Sequence, residues 1–473
     1  MKKFTKILLI GCLLVTVSCN NWLDVEPKSQ VKDKDLFASE MGFKEALSGV
    51  YSLMTKEALY GKELTFGWLG VLGQEWTSVP YNYEDDQKYD FENAASEVRI
   101  DSVWTGLYNA IANANKLLKE LEGKENLFSG DNYSIIKGEV LALRAYLHFD
   151  LLRIFGASCT VGMERIAIPY VTEYAPTIFP QEKVGDFVGK VLNDLQDAAK
   201  CLENDPILTG RTVSEIDDNG YLMNRQVHLN YYAVKGLMAR VYLYKGDYAN
   251  AEVCAKEVIG SGCFEWVKQE NLTNESVADL TFSTEHLFAL NIVTLGNIVD
   301  KYLDGGNNSF ALEESRLSEY YGSSYDYRYL YLFKTGVGMS NTLRYLKKYD
   351  QLESVSWAQS YRNKLPLICL PEMYYILAEC RYHSSGDVLE PLNEVCRHRG
   401  VADLSEADLS AFETLLLAEY RKEVIGGGQL FFQYKRLNRS VVPGTDVDLA
   451  GEGRYVIPMP KEELENPGWV SNQ

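Results

Sequence analysis

A chain of 473 residues is long enough to bury a large core, and with 13 prolines and no low-complexity tract it reads as globular and ordered. Its formal net charge of −19 disfavours nucleic acid as a partner and makes polyanionic ligands less favourable. Nine cysteines without regular spacing form no disulfide framework, and the absence of CxxC, HExxH or histidines at ligand spacing gives no support to a metal site or a cofactor.

In chain order, Lys2, Lys3 and Lys6 precede an apolar run from Ile7 to Val17. Eleven residues are too few to span a bilayer, which takes roughly 20. The pattern is that of an export signal over residues 1–18, with Ser18 as the small residue before Cys19. Cys19 is the expected lipidation site, with Cys12 as the alternative, and the lipid would tether the chain to a membrane without crossing it. Losing the three lysines with the signal lowers the net charge by three more, to −22.

Two long helices are predicted next. "WTGLYNAIANANKLLKEL" carries Leu107, Ile111, Ala114, Leu118 and Leu121 at helical spacing, and "GEVLALRAYLHFDLLRIFG" carries an apolar stripe through Val140, Leu143, Leu147, Leu151 and Ile154 that Gly156 ends. His148, within the second, is expected to make a local hydrogen bond. Residues 234–262 have the small-residue spacing of a tetratricopeptide helix pair, with Gly246 at the turn, where little room for a side chain is expected. A second pair is readable in "PEMYYILAECRYHSSGDVLEPLNEVCRHRG", turning at Ser384, Ser385 and Gly386. Between these blocks, residues 60–100 and 295–350 are rich in tyrosine and turn residues and read as loops with short strands.

These blocks together resemble the SusD/RagB family of surface nutrient-binding lipoproteins of Bacteroidetes. "CNNWLDVEP" resembles the family's lipidated start, and the helical blocks above follow in the family's order. "LAEYRKEVIGGGQLFFQYKR" and "YVIPMPKEELENPGW" resemble two closing blocks. Gly427, Gly428, Gln429, Leu430 and Gln433 depart from the family pattern, which puts in doubt any charge network around Phe431 and Phe432.

The resemblance implies a mostly α fold in which tetratricopeptide-like helix pairs form a superhelical scaffold beside an irregular, loop-rich half with short strands. It implies one domain over 19–473, with an N-terminal part at 19–205 and a C-terminal part at 206–473. It also implies an outer-membrane, lipid-anchored protein facing the cell exterior. The implied partner is a SusC-like TonB-dependent transporter, and the implied ligand is an oligosaccharide, or less often a peptide, captured without cleavage. The alternative from another class is a lipid-anchored tetratricopeptide scaffold for protein partners.

Two loops combine aromatic rings with hydrogen-bonding side chains, the mixture that a sugar's apolar C–H faces and hydroxyls require. The first, residues 74–91, offers Trp76, Tyr81, Tyr83 and Tyr89 beside Gln74, Asn82, Asp85 and Asp86. The second, residues 318–333, offers Tyr321 and Tyr325 around Gly322-Ser323-Ser324, while the alternating Tyr325, Tyr327, Tyr329 and Tyr331 suit a strand. Trp76, Tyr81, Tyr83, Tyr89, Tyr321 and Tyr325 are therefore the expected ligand contacts. No catalytic set is expected.

Overall fold

The computed structural model describes residues 34–214, 220–274, 278–306, 308–336, 342–351 and 361–472. Cys12, Cys19 and the expected signal lie outside them. Helix α1 (Glu40–Met54) starts where the Ser39 hydroxyl accepts the N–H of Gly42, and α2 (Ala94–Leu121) where the Asn93 side chain accepts those of Ala95 and Ser96. α3 (Asn132–Phe155) ends at Gly156 as its sequence predicts. An antiparallel hairpin of β1 (Ile166–Pro169) and β2 (Gln181–Lys183) leads into α4 (Val184–Cys201). α5 (Tyr231–Lys245) is capped by Asn230 and leaves through Gly246 at φ +80°, and Asp247 caps α6 (Tyr248–Ile259) at once.

The irregular half follows. β3 (His286–Asn291), α7 (Leu295–Tyr302), β4 (Leu312–Glu313), α8 (Glu314–Tyr321), α9 (Tyr327–Tyr331), β5 (Phe333–Thr335), β6 (Leu343–Leu346) and β7 (Lys364–Cys369) alternate with turns. β3 pairs antiparallel with β7, from His286 opposite Cys369 to Asn291 opposite Lys364, and β6 lies between β4 and β5. The chain then returns to helices: α10 (Leu370–Ser384), α11 (Leu389–His398), α12 (Phe412–Val424) and α13 (Leu430–Arg436). α2 packs on α3, α3 on α4, α4 on α5, α5 on α6, α6 on α10 and α10 on α11. This succession is the expected tetratricopeptide-like scaffold, and the strands stay few and short.

Buried arginine–carboxylate pairs tie the two halves together. Arg399 binds Glu285 beside β3 and Glu423 on α12, and Arg240 on α5 grips Glu372 on α10 with two bonds of 2.6 Å. Arg436 takes both oxygens of Glu379 in the core, while neighbouring Lys435 donates to the Ile154 carbonyl. Around Phe431 and Phe432 a polar network is present: Arg153 lies 3.9 Å over the Phe432 ring and donates to Gln429 and Asp150. Amide Gln429 and amide Gln433, which accepts from Arg436, act there as neutral acceptors.

Four local expectations need correction. The α3 stripe is too narrow a description, because nearly every face of that helix is buried between α2 and α4, including Leu141, Ala142, Tyr146 and Phe149. Residues 60–100 fold as short helices and turns leading into α2, and their extended contact is one bridge, Ser78 to Ala311. Tyr327 to Tyr331 form a helical turn, because the Asp326 carboxylate accepts the N–H of Arg328 and nucleates it. Gly246 has open space around it, so its role rests on the left-handed backbone.

Candidate functional site

The loop expectations meet the structure unevenly. Trp76 is 2% exposed, with its indole N–H donated to the Phe66 carbonyl at 2.7 Å and its ring against Phe310. Tyr83 is buried between Phe310 and the Arg99 guanidinium, and its hydroxyl donates to Glu63 at 2.8 Å. Tyr89 donates to the Leu72 carbonyl and accepts from Gln74. Tyr321 donates to the Lys422 carbonyl from a buried site. A ring enclosed on its faces offers no surface to a sugar, so the expectation of ligand contact is corrected for Trp76, Tyr83, Tyr89 and Tyr321: they build the floor of the loops.

Tyr81 and Tyr325 are different, at 87% and 76% exposed. Tyr81 follows Pro80 at the start of a short turn. Tyr325 follows Gly322, which ends α8 at φ +64°. The first loop is anchored to the strand ahead of α8, since the N–H groups of Thr77 and Ser78 both donate to the Ala311 carbonyl and the Thr77 hydroxyl accepts the N–H of Glu313. Asp86, expected to face ligand, instead accepts from Trp68, Ser96 and Arg99, and burial pushes its carboxyl up to about 6 against the opposing Arg99 charge.

A groove of about 890 Å³ lies between α1, the Val227–His228 segment, the end of β3 and α7. Its polar wall groups are Ser52, Thr55 and Lys56 on one side and Asn291, Thr294, Asn297 and Lys301 on the other, set among Val227, Leu290, Val293 and Ile298. At its base, His228 Nδ1 lies 2.8 Å from Glu139 Oε2, and the Tyr51 hydroxyl donates to the same oxygen. Burial opposes ionisation of Glu139, but His228 and Arg225 outweigh it and hold the carboxyl near 2. An ionised carboxylate only accepts, so the Nδ1 facing it carries a proton and donates to Glu139. The Glu57 carboxylate lines the rim; burial works against its charge, yet the Tyr302 hydroxyl and the nearby Lys301 and Lys62 ammoniums lower its pKa.

Glu57 is the one carboxylate among the described groove-lining residues, whereas a glycosidase needs two across the bond it cuts. The groove is equipped to hold a hydrogen-bonding ligand. A smaller pocket of about 410 Å³ lies between α2 and the C-terminal segment, walled by Trp104, Tyr108 and Trp469. Their polar atoms donate to Glu463, the Pro169 carbonyl and the Phe179 carbonyl, so these rings dock the C-terminal segment onto α2. His148 is a core residue: Nδ1 contacts the Arg144 carbonyl, Nε2 accepts the Val171 N–H, and burial lowers its pKa to about 3.

Sequence reasoning missed the groove. Glu139 and His228 stand 89 positions apart, and one acid inside an apolar helix was the only available signal.

The SusD-like family described as starch-binding and associating with the outer membrane matches residues 21–243. The fold agrees along most of the chain: a SusD superfamily protein from Bacteroides thetaiotaomicron superposes with a TM-score of 0.74 at 22% identity, over 92% of this chain and all of that one. That family match covers just under half of the chain, and the shared fold extends beyond it. SusD-like protein P38 of Formosa agariphila is 24% identical over 269 residues, which are 56% of this chain and 47% of that relative. The match thus spans about half the length of this curated SusD-like relative. A SusD-like carbohydrate binding protein from Bacteroides vulgatus superposes with a TM-score of 0.67 at 17% identity, over 85% of this chain and 84% of that one. Among the described residues, no helix is long and apolar enough to cross a membrane.

Proposed function

We propose that this protein captures carbohydrate at the outer membrane and hands it uncut to a SusC-like TonB-dependent transporter. The observation that carries the reading is the SusD-like fold, followed over 92% of the chain, with a large polar groove open at its surface. A lipid on Cys19 would hold the protein at the membrane, and release to a transporter favours an open site over an enclosed one. In this reading Tyr81 and Tyr325, the two exposed rings on the loop face, also meet the ligand.

Native electrophoresis in gels cast with polysaccharides of different chemistry tests the reading. Retardation by at least one polysaccharide, with no new reducing ends, is the expected result. Unchanged mobility in every gel would count against carbohydrate capture.

A further inference from the structure

The groove's ligand class can be argued from the groups that line it. A neutral sugar gains affinity from stacking on flat rings and from hydrogen bonds exchanged with water, each worth only about 0.5–1.5 kcal/mol net. Here stacking surface is scarce: Tyr51 is half-buried and turned edge-on to His228, their ring centroids 5.5 Å apart at 82°. Val293, 70% exposed, is the open apolar side chain on the rim.

What the groove has instead is one more ammonium than carboxylate: two lysines share its rim with Glu57. Lys56 has no ion-pair partner among the described residues. Lys301 reaches Glu57 only at 3.5 Å, while Glu57 accepts the Tyr302 hydroxyl at 2.8 Å. Lys56 precedes Glu57 in sequence, and Lys301 reaches Glu57 from α7. Contrast the core, where arginines sit within about 2.5–3.0 Å of their acids.

We infer that this groove binds an anionic oligosaccharide, whose carboxylate or sulfate groups are received by Lys56 and Lys301. The inference rests on the carbohydrate-capture reading above and adds the charge of the cargo. The chain's net charge of −19 does not oppose it, because at physiological ionic strength charges more than about 8 Å away are largely screened and the groove's own ammoniums dominate. Hydrogen bonds to ionised groups are roughly twice as strong as neutral ones, which compensates for the missing ring stacking. Glu139 acts as a positioning residue: it holds His228 by its Nδ1 from below.

Calorimetric titration of the full chain with tetragalacturonate, a sulfated carrageenan tetrasaccharide and neutral maltotetraose tests this. The wild type should bind at least one anionic probe more tightly than maltotetraose, and the affinity should fall as salt rises from about 20 mM to about 0.5 M. The Lys56→Gln/Lys301→Gln variant should lose about tenfold or more in affinity with an unchanged melting temperature. Lys119→Gln, on the exposed side of α2, controls for net charge and should bind as wild type does. Whichever anionic probe binds distinguishes carboxylate from sulfate. Anionic binding that survives the double variant overturns the groove assignment, and binding of maltotetraose alone overturns the charge of the cargo while leaving capture intact. Retardation by no polysaccharide in the gels, together with silence for all three probes, overturns both readings.

Discussion

The guanidinium of Arg436 on α13 meets both carboxylate oxygens of Glu379 on α10 at 2.7 Å, inside the core. Such a pair contributes little over an apolar substitute, yet breaking it strands a charge. Arg436→Met should therefore cost about 3–5 kcal/mol in urea unfolding, and adding Glu379→Leu should recover most of it. A single variant within about 1 kcal/mol of wild type would show that Glu379 finds another partner or a proton.

At Gly246 the backbone, and no lack of space, sets the cost of substitution. The φ of +80° is left-handed, and a Cβ there would meet nothing within 4 Å. Gly246→Ala should lose about 1–2 kcal/mol, Gly246→Val more, and Gly246→Asn less than either. Equal losses for Asn and Val would point to a packing clash instead.

Trp76 and Tyr81 lie five residues apart and should separate cleanly. Trp76→Ala removes a buried ring and should cost about 3–5 kcal/mol of stability, with the affinity of the folded fraction retained. Tyr81→Ala should change stability by less than about 0.5 kcal/mol and weaken ligand binding several-fold. Melting curves and titrations on both variants decide it. Stable Trp76→Ala protein with abolished binding would reverse the two roles.

Glu75 gives a pH signature. Burial, only partly offset by the Gly426 N–H and the charges of Arg421 and Lys348, pushes its carboxyl up to about 7 from its ordinary 4.5. Between those values the folded state holds a proton that the unfolded state has released. This group's contribution to stability therefore falls as pH rises through that window and stays low above it, on the order of 3 kcal/mol in all. Glu75→Gln should raise the melting temperature relative to wild type more at about pH 8 than at about pH 5. An equal difference at the two pH values would mean that Glu75 does not titrate in this window.

The scaffold was legible because its signals are local. Gly156 and Gly246 end or turn helices as glycines do, and the spacing from Leu107 to Leu121 needs no distant partner to be read. The loop aromatics were misread for a physical reason. Trp76, Tyr83 and Tyr89 have polar neighbours because their own N–H and O–H groups need buried acceptors, and the same mixture of residues describes a sugar platform. The tyrosines from 325 to 331 alternate like a strand, but one Asp326 cap outweighs that pattern over five residues. The groove was illegible because tertiary packing brings together Lys56, His228 and Lys301, which share no local pattern.

Carbohydrate capture without cleavage is tested most directly by titrating purified protein with oligosaccharides cut from a polysaccharide that retards it, and recovering the ligand afterwards for mass analysis. The expected result is one ligand per chain, a Kd of roughly micromolar to millimolar, or about −8 to −4 kcal/mol, and a ligand of unchanged length. No heat of binding with any of those oligosaccharides, or a ligand returned shortened, would contradict it.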